Sequence, residues 1–283
     1  MPAPEQVADR IERLATRTPT LPPATHTNSY ALGGREVLLV EPATPYKDEQ
    51  RDWLQWAEGL RSQGRTLVGI FVTHHHVDHI GGATELSKAL GLQLWGHADT
   101  AARLPNVRFD RLLVDGESLV LEGPALQRWS VLHTPGHAAG HLCLLEREAG
   151  HVIVGDMVAS QGTILIEPGD GDMTLYLEQL ARLEDLNATC ALPAHGAPID
   201  QPSKLFRTYI RHRGMRETKI LSALRTFGER GATPKSLVPI AYDDAPKQVW
   251  PMAVLSVRAH IEKLVRDGRV AEVDGRYVAT EVA

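Results

Sequence analysis

Apolar and polar positions change their period repeatedly along the first 202 residues. Asn28 to Leu32 and Glu36 to Val40 flank Gly33-Gly34, the pattern of a hairpin. Asp48 to Ser62 then places Trp53, Trp56, Ala57 and Leu60 on one helical face. Thr66 to Val72 is almost continuously apolar, as expected of a strand covered on both faces. A short helix over Thr84 to Leu90 follows. Strands are predicted at Leu92 to Trp95, Ser118 to Leu121, Leu126 to Leu132, Leu142 to Glu146 and His151 to Val154. Met173 to Leu186 is again helical. Strands interleaved with helices predict an α/β protein with helices outside its sheets.

From Gln201 the pattern changes. Two longer helices are predicted, over Lys204 to Phe227 and Lys247 to Arg266, with a shorter one near Pro234 to Ala241 between them. In the last of the three, Trp250, Ala253, Val254, Val257, Ile261, Leu264 and Val265 form one apolar stripe. Gly268 stops it, and Asp274-Gly275 joins two short strands. Helices followed by a hairpin give the order of a winged-helix module. The expected division is therefore residues 1–202 and 203–283.

Composition adds bounds. With 43% hydrophobic and 23% charged residues in a 283-residue chain, disordered and fibrous classes are excluded. No apolar run approaches the roughly 18 residues of a membrane span. The opening stretch MPAPEQVADRIERL lacks the apolar centre of a secretory signal. Only Cys143 and Cys190 are present, which excludes a disulfide framework and a Cys-rich zinc site. A cytoplasmic protein without membrane contact is the expectation. Residues 203–283 carry 15 Lys and Arg against 9 Asp and Glu, whereas the preceding 202 carry 15 against 26. A basic module on an acidic body suggests either a solvated face or an anionic partner.

The chemistry lies where strands end. Directly after the buried strand come Thr73-His74-His75-His76-Val77-Asp78-His79. His74 and His76, two apart in extended backbone, point the same way. Three imidazoles and a carboxylate in six residues suit a divalent transition metal, against the alternative of a His-rich solvent loop. His137, Asp156 and His195 each follow a further hydrophobic run, beside Gly or Pro. His133 and His141 flank His137 as candidates to orient ligands or touch substrate. His97 and His212 have no evident partner in the sequence.

His74, His76, Asp78 and His79 match the His-x-His-x-Asp-His motif, and His137, Asp156 and His195 follow in the order, of the metallo-β-lactamase superfamily, which residues 20 to 200 resemble. That resemblance implies an αββα metallo-β-lactamase sandwich with two divalent metal ions at one edge of its packed sheets. One ion would take His74, His76 and His137, and the second Asp78, His79 and His195. Asp156 would bridge both, and Asp78 is the residue expected to be indispensable for catalysis. A complete His and Asp set, with no Glu replacing His76, is closer to the zinc hydrolases than to di-iron relatives, although mono-iron relatives share these ligand types. Zn2+ is therefore the expected metal, with a bridging hydroxide as nucleophile.

Thr25 to Tyr30, Gly162 to Met173 and Tyr209 to Glu217 further resemble a subgroup that includes a mitochondrial β-lactamase-like endoribonuclease with a carboxy-terminal winged-helix module. Antibiotic hydrolysis is not expected, because Asp156 stands where the main antibiotic-hydrolysing class has a Cys. Two hydrolytic readings stay open. In one, single-stranded RNA is cleaved, with Arg207, Arg211, Arg213, Arg216 and Lys219 contacting phosphates. In the other, the substrate is a small-molecule thioester, ester or lactone. Aromatic residues make up only 5% of the chain, leaving few platforms for stacking bases. A third, weaker reading is a metal-sensing DNA-binding regulator whose recognition helix carries Arg258, Lys263 and Arg266. A homo-oligomer is compatible with all three.

Overall fold

A computed structural model describes residues 3–280. The chain forms two compact units, Met1–Thr134 with Gly140–Thr163 and Asn187–Pro202, and Pro135–Ala139 with Ile164–Leu186 and Ser203–Ala283.

The first unit holds strands β1 (Glu5–Ala8), β2 (Ile11–Arg17), β3 (His26–Leu32) and β4 (Glu36–Val40), then helix α1 (Lys47–Ser62) and β5 (Thr66–Phe71). Helices α2 (Val77–Ile80) and α3 (Ala83–Leu90) precede β6 (Leu94–Gly96), α4 (Ala98–Arg103) and β7 (Arg111–Leu112). Strands β8 (Ser118–Leu121), β9 (Gln127–His133), β10 (Leu142–Glu146), β11 (His151–Gly155) and β12 (Cys190–Pro193) complete it. The first seven strands make one sheet in chain order, antiparallel up to β4 and parallel from β4 onward. The other five are ordered β12-β11-β10-β9-β8, with only β11 and β12 parallel.

Alternation decides which side chains meet. Tyr30, Leu32, Leu38, Val40 and Phe71 point into a core with Trp129, Val131, Leu142, Leu144 and Ile153 of the second sheet. Their neighbours Ala31, Val37, Leu39, Ile70 and Val72 pack on the opposite face with Trp53, Trp56 and Leu60 of α1 and Leu86 of α3. Both faces of β4 and β5 are thus buried, which accounts for their unbroken apolar runs. The sequence gives no strand for β1 and β2 because their charged positions read as surface. Arg65 pairs with Glu12, and Arg13 donates to Gly196 O at 3.1 Å, so partnered charge lies along the strand.

The second unit contains α5 (Met173–Asp185), α6 (Pro202–Phe227), α7 (Pro234–Ala241), α8 (Trp250–Arg266) and the antiparallel pair β13 (Val270–Val273) and β14 (Arg276–Ala279). Ile220, Leu224, Leu237, Val257, Ile261, Leu264 and Val270 form its core. Thr233 and Ser236 close a capping box at the start of α7. Asp274 and Gly275 both take positive φ, as a two-residue hairpin turn requires. The helix expected from Lys247 begins with a tighter turn over Lys247–Val249, and α8 proper starts at Trp250. Pro251 explains the shift, since proline is tolerated only in the first turn of a helix. Together the elements are an α/β sandwich fold with a carboxy-terminal winged-helix domain. Among the described residues no helix is long and apolar enough to cross a membrane.

Candidate metal centre

Parallel pairing puts strand ends side by side. The carboxyl end of β4 delivers Glu41 beside the end of β5, which delivers Thr73 and His74. The parallel ends of β11 and β12 deliver Asp156 and His195 in the same way. Thr73 O accepts from Leu142 N at 2.9 Å, joining the two sheets at this edge.

His74, His79 and Asp156 each offer a ligand atom within 4.8 Å of one another, and so do Asp78, His79 and His195. His79 Nε2 lies 3.5 Å from Asp156 Oδ2 and 3.9 Å from Asp78 Oδ1. His195 Nε2 lies 3.4 Å from Asp156 Oδ1 and 3.5 Å from Asp78 Oδ2. Donors on one tetrahedral zinc ion, at about 2.0–2.1 Å from it, stand about 3.3 Å apart. Three of the four observed spacings, 3.4–3.5 Å, are within a few tenths of an ångström of that edge, and the fourth, 3.9 Å, is longer. His74 and His76 present Nε2 and Nδ1 2.9 Å apart. Six of the seven expected ligands therefore converge in the first unit. His137 is carried by the second unit, where its Nδ1 donates to Leu165 O at 2.9 Å.

Each inward imidazole is held from behind. His79 Nδ1 donates to Glu41 Oε2 at 3.0 Å, and Glu41 Oε1 accepts from Thr73 N at 2.9 Å. His195 Nδ1 donates to His26 O at 2.9 Å. Asn28 fixes that loop by donating to Pro193 O and Gly196 O, at 2.9 and 2.8 Å. Both rings are thereby set with Nε2 turned toward the carboxylates. A buried His79 Nε2 without a hydrogen-bond partner is the atom a cation would satisfy.

Burial alone would keep these groups neutral, yet their mutual attraction prevails. Asp156 is held well below the usual carboxylate range by His195 and His79, against the opposing effect of its burial. Asp78 is likewise lowered to about 2, as His79 and His195 outweigh its desolvation. Despite desolvation, Asp156 and Asp78 push His195 up to about 10, and Glu41, Asp156 and Asp78 raise His79 well above its ordinary value. Asp156, buried, and Asp78, partly exposed, thus demand positive charge at their centre, which the donor set lets a divalent ion supply.

His141 has another task. Its Nε2 accepts from Asp156 N at 3.1 Å while Nδ1 donates to Thr134 Oγ1 at 2.8 Å. It therefore holds the Asp156 backbone. Gly155 makes room for it: φ is +48°, and a Cβ there would stand 2.5 Å from His141 Nε2. His133 stacks on His97, ring centroids 4.1 Å apart and planes 13° from parallel. The partner of His97 that the sequence does not reveal is thus His133, brought close by the fold. Glu41 is the functional residue that sequence reasoning misses, since one acidic residue ending a strand carries no motif.

A cavity of about 420 Å³ touches His195 on the side of His26 and Asn28, and none of the other expected ligands lines it. In the second unit Arg213 and Arg216 are buried, at 2% and 4% exposure, which corrects the expectation that they contact phosphates. Arg216 donates to Ala241 O and Asp244, and Arg213 to Ile164 O, so both charges are turned inward.

Two mixed sheets with His and Asp clusters at their carboxyl edge, followed by helices and a wing, define a hydrolase fold of the β-lactamase-like type. The chain belongs to the metallo-beta-lactamase superfamily, whose sequence profile matches residues 22–195, and the profile of the beta-lactamase associated winged helix domain matches residues 233–277. It is 26% identical over 280 residues to a beta-lactamase-like protein 2 homolog of Drosophila melanogaster, covering 95% of this chain and 92% of that one. It is 27% identical to an atrochrysone carboxyl ACP thioesterase of Pseudocercospora fijiensis, covering 96% of this chain and 79% of that one. Among solved structures, a beta-lactamase domain protein from Burkholderia ambifaria superposes with a TM-score of 0.83 at 22% identity, covering 99% of this chain and 95% of that one.

Proposed function

We propose that the chain is a dinuclear zinc hydrolase of a small thioester or related ester or lactone. The observation that carries this reading is the convergence of His79, His195, Asp78 and Asp156 at 3.4–3.9 Å, each imidazole locked from behind. His74 and His76 would hold the first ion together with His137, the third ligand implied by the sequence motif. Asp78, His79 and His195 would hold the second, and Asp156 would serve both. When bound, the ions supply a hydroxide at neutral pH and polarise a carbonyl oxygen.

Asp156 and Asp78 are ionised across the physiological range, which keeps the centre ready for a cation. Glu41 and His26 fix the rings so that their Nε2 atoms face inward, where a cation would take the place of the proton. In the net reaction water adds to the acyl carbon, the carbon–sulfur bond breaks, and thiol and carboxylic acid are released. The relative named as an acyl-carrier thioesterase, aligned over almost the whole chain, supports this substrate class over RNA. So does the inward turn of Arg213 and Arg216, which leaves the basic module fewer phosphate contacts.

The test is metal-stripped protein assayed for thiol release from a short acyl thioester before and after zinc is returned. Activity restored by zinc and abolished in Asp78→Ala is expected. Full activity after stripping, or in Asp78→Ala, would overturn the reading. Zinc-dependent cleavage of a single-stranded RNA, with affinity falling steeply as salt rises and no thioester turnover, would replace the substrate.

A further inference from the structure

We infer that Arg213 is a positioning residue for His137, acting through the carbonyl groups of residues 164 and 165 to fix which imidazole nitrogen carries the proton. This rests on the reading above that His137 is a metal ligand. Every contact involved lies within the second unit.

His137 sits on the short segment Pro135–Ala139, which has no regular structure of its own. Its ring is oriented by the bond from Nδ1 to Leu165 O at 2.9 Å. A neutral imidazole that donates from Nδ1 must leave Nε2 as a lone pair, the form a cation needs. The position of the Leu165 carbonyl therefore sets the ligand atom. Residues 163–167 also lack regular structure, so helix or sheet hydrogen bonds do not hold that carbonyl. What holds it is a side chain from α6. The guanidinium of Arg213 donates to Ile164 O, one peptide away, and its Cζ lies 5.4 Å from the centroid of Tyr176. Arg213 is almost wholly buried and Tyr176 completely so.

Tyr176 closes the circuit. Its backbone abuts Gly136, the residue before His137: a Cβ on Gly136 would come within 2.3 Å of Tyr176 N and Cα. Gly136 has φ of +134°, and its carbonyl accepts from Asp172 N at 2.8 Å. Asp172 is in turn gripped by both arms of Arg266 from α8, one at 2.9 Å. The segment bearing His137 is thus clamped between residues 164–165, held by Arg213, and residues 172–176, held by Arg266 and the same Arg213. A buried arginine suits this task because its planar fork reaches a carbonyl and a ring face at once. Arg213 accordingly faces the ligand's support, not solvent.

Arg213→Met and Arg213→Lys, with the exposed Arg225→Gln as control, test this by two readouts. In metal-free protein, side-chain nitrogen–proton NMR correlations should show His137 protonated at Nδ1. Arg213→Met should convert it to a mixture with the Nε2–H form, and Arg213→Lys should fall between. In zinc competition titrations, Arg213→Met should weaken one of the two bound ions about tenfold, the size of effect seen when groups supporting a ligand are removed. Arg225→Gln should change neither. If both Arg213 variants keep His137 in the Nδ1–H form and bind both ions within twofold of the parent, the inference is wrong. Should Arg213→Met fail to fold, Arg213→Lys decides by the same readouts. A parent protein that binds no zinc would instead overturn the metal reading, and the imidazole signal would still decide the role of Arg213.

Discussion

Glu41 and His79 form a buried carboxylate–imidazole pair at 3.0 Å, both at most 1% exposed. The second Glu41 oxygen accepts the amide of Thr73, so one side chain links the ends of β4 and β5 and aims a candidate ligand between them. The residue does so from a left-handed backbone, with φ of +60°, where a non-glycine residue costs on the order of 1–3 kcal/mol. Strain at this position is offset by two hydrogen bonds to a carboxylate, each worth about 1.5–3 kcal/mol.

Replacing Glu41 by Gln keeps the shape and removes the charge. One oxygen remains for either Thr73 N or His79 Nδ1, and the amide nitrogen must face the other donor. The expected result is a zinc affinity reduced about 10- to 100-fold, with the thioester rate reduced in parallel at fixed zinc. Competition against a chromogenic chelator measures it. Unchanged affinity would remove Glu41 from the support of His79.

Gly155→Ala attacks the other carboxylate. A side chain at φ of +48° costs about 1–2 kcal/mol by itself. The new Cβ would also displace His141, which accepts the Asp156 amide at 3.1 Å. Loss of about 2–4 kcal/mol in unfolding free energy is expected, together with weaker zinc binding. Urea titrations with and without zinc separate the two effects, because only the zinc-bound protein should lose both.

The strands that end in ligands were legible because burial on two faces leaves an unbroken apolar run, as in Val68 to Val72, and the chemistry begins where it stops. Local motif spacing likewise brought out His74, His76, Asp78 and His79. What stayed hidden is what pairing across the fold creates. Glu41 is adjacent to His79, 38 positions away in sequence, only because β4 lies beside β5. His97, after β6 of one sheet, meets His133, at the end of β9 of the other, because the two sheets are stacked. β1 and β2 carry no alternating apolar pattern, because polar positions such as Glu12 and Arg13 are partnered by Arg65 and Gly196. Arg213 and Arg216 resembled a solvated basic face, since helical spacing does not say which side packs.

Arg216 and Arg207 lie on one helix and should differ sharply when truncated. Arg216 is buried, donates to Ala241 O and Asp244, and sits 4.0 Å from the Tyr242 ring centroid. Arg207 is 61% exposed and pairs with Glu184 at 2.8 Å. Arg216→Met should destabilise the carboxy-terminal unit by about 1–3 kcal/mol, chiefly through the buried Ala241 carbonyl left unsatisfied. Arg207→Met should cost less than about 1 kcal/mol, as exposed ion pairs do. Urea denaturation followed by far-ultraviolet circular dichroism, to which the helices of this unit contribute, compares them, and equal losses would contradict the burial of Arg216.

His260 makes the stability of the carboxy-terminal unit depend on pH. It is completely buried, neither ring nitrogen has a hydrogen-bond partner, and desolvation together with Arg213, Lys263, Arg216 and His212 pushes its pKa well below 6.5. The carboxylates paired with these cations, Asp244 with Arg216 and both Asp267 and Glu217 with Lys263, are engaged with them already. Below pH 6.5 the unfolded chain therefore binds a proton at this position that the folded chain does not. The stability contributed by the neutral ring is complete above the unfolded value and declines as pH falls beneath it, by up to about 1.4 kcal/mol per pH unit. His260→Leu removes the titration while keeping an apolar occupant. The variant's unfolding free energy should hence fall less steeply between pH 6.5 and 4.5 than that of the parent, a difference read from urea midpoints across that range. Parallel curves would mean that His260 takes up its proton in the folded state.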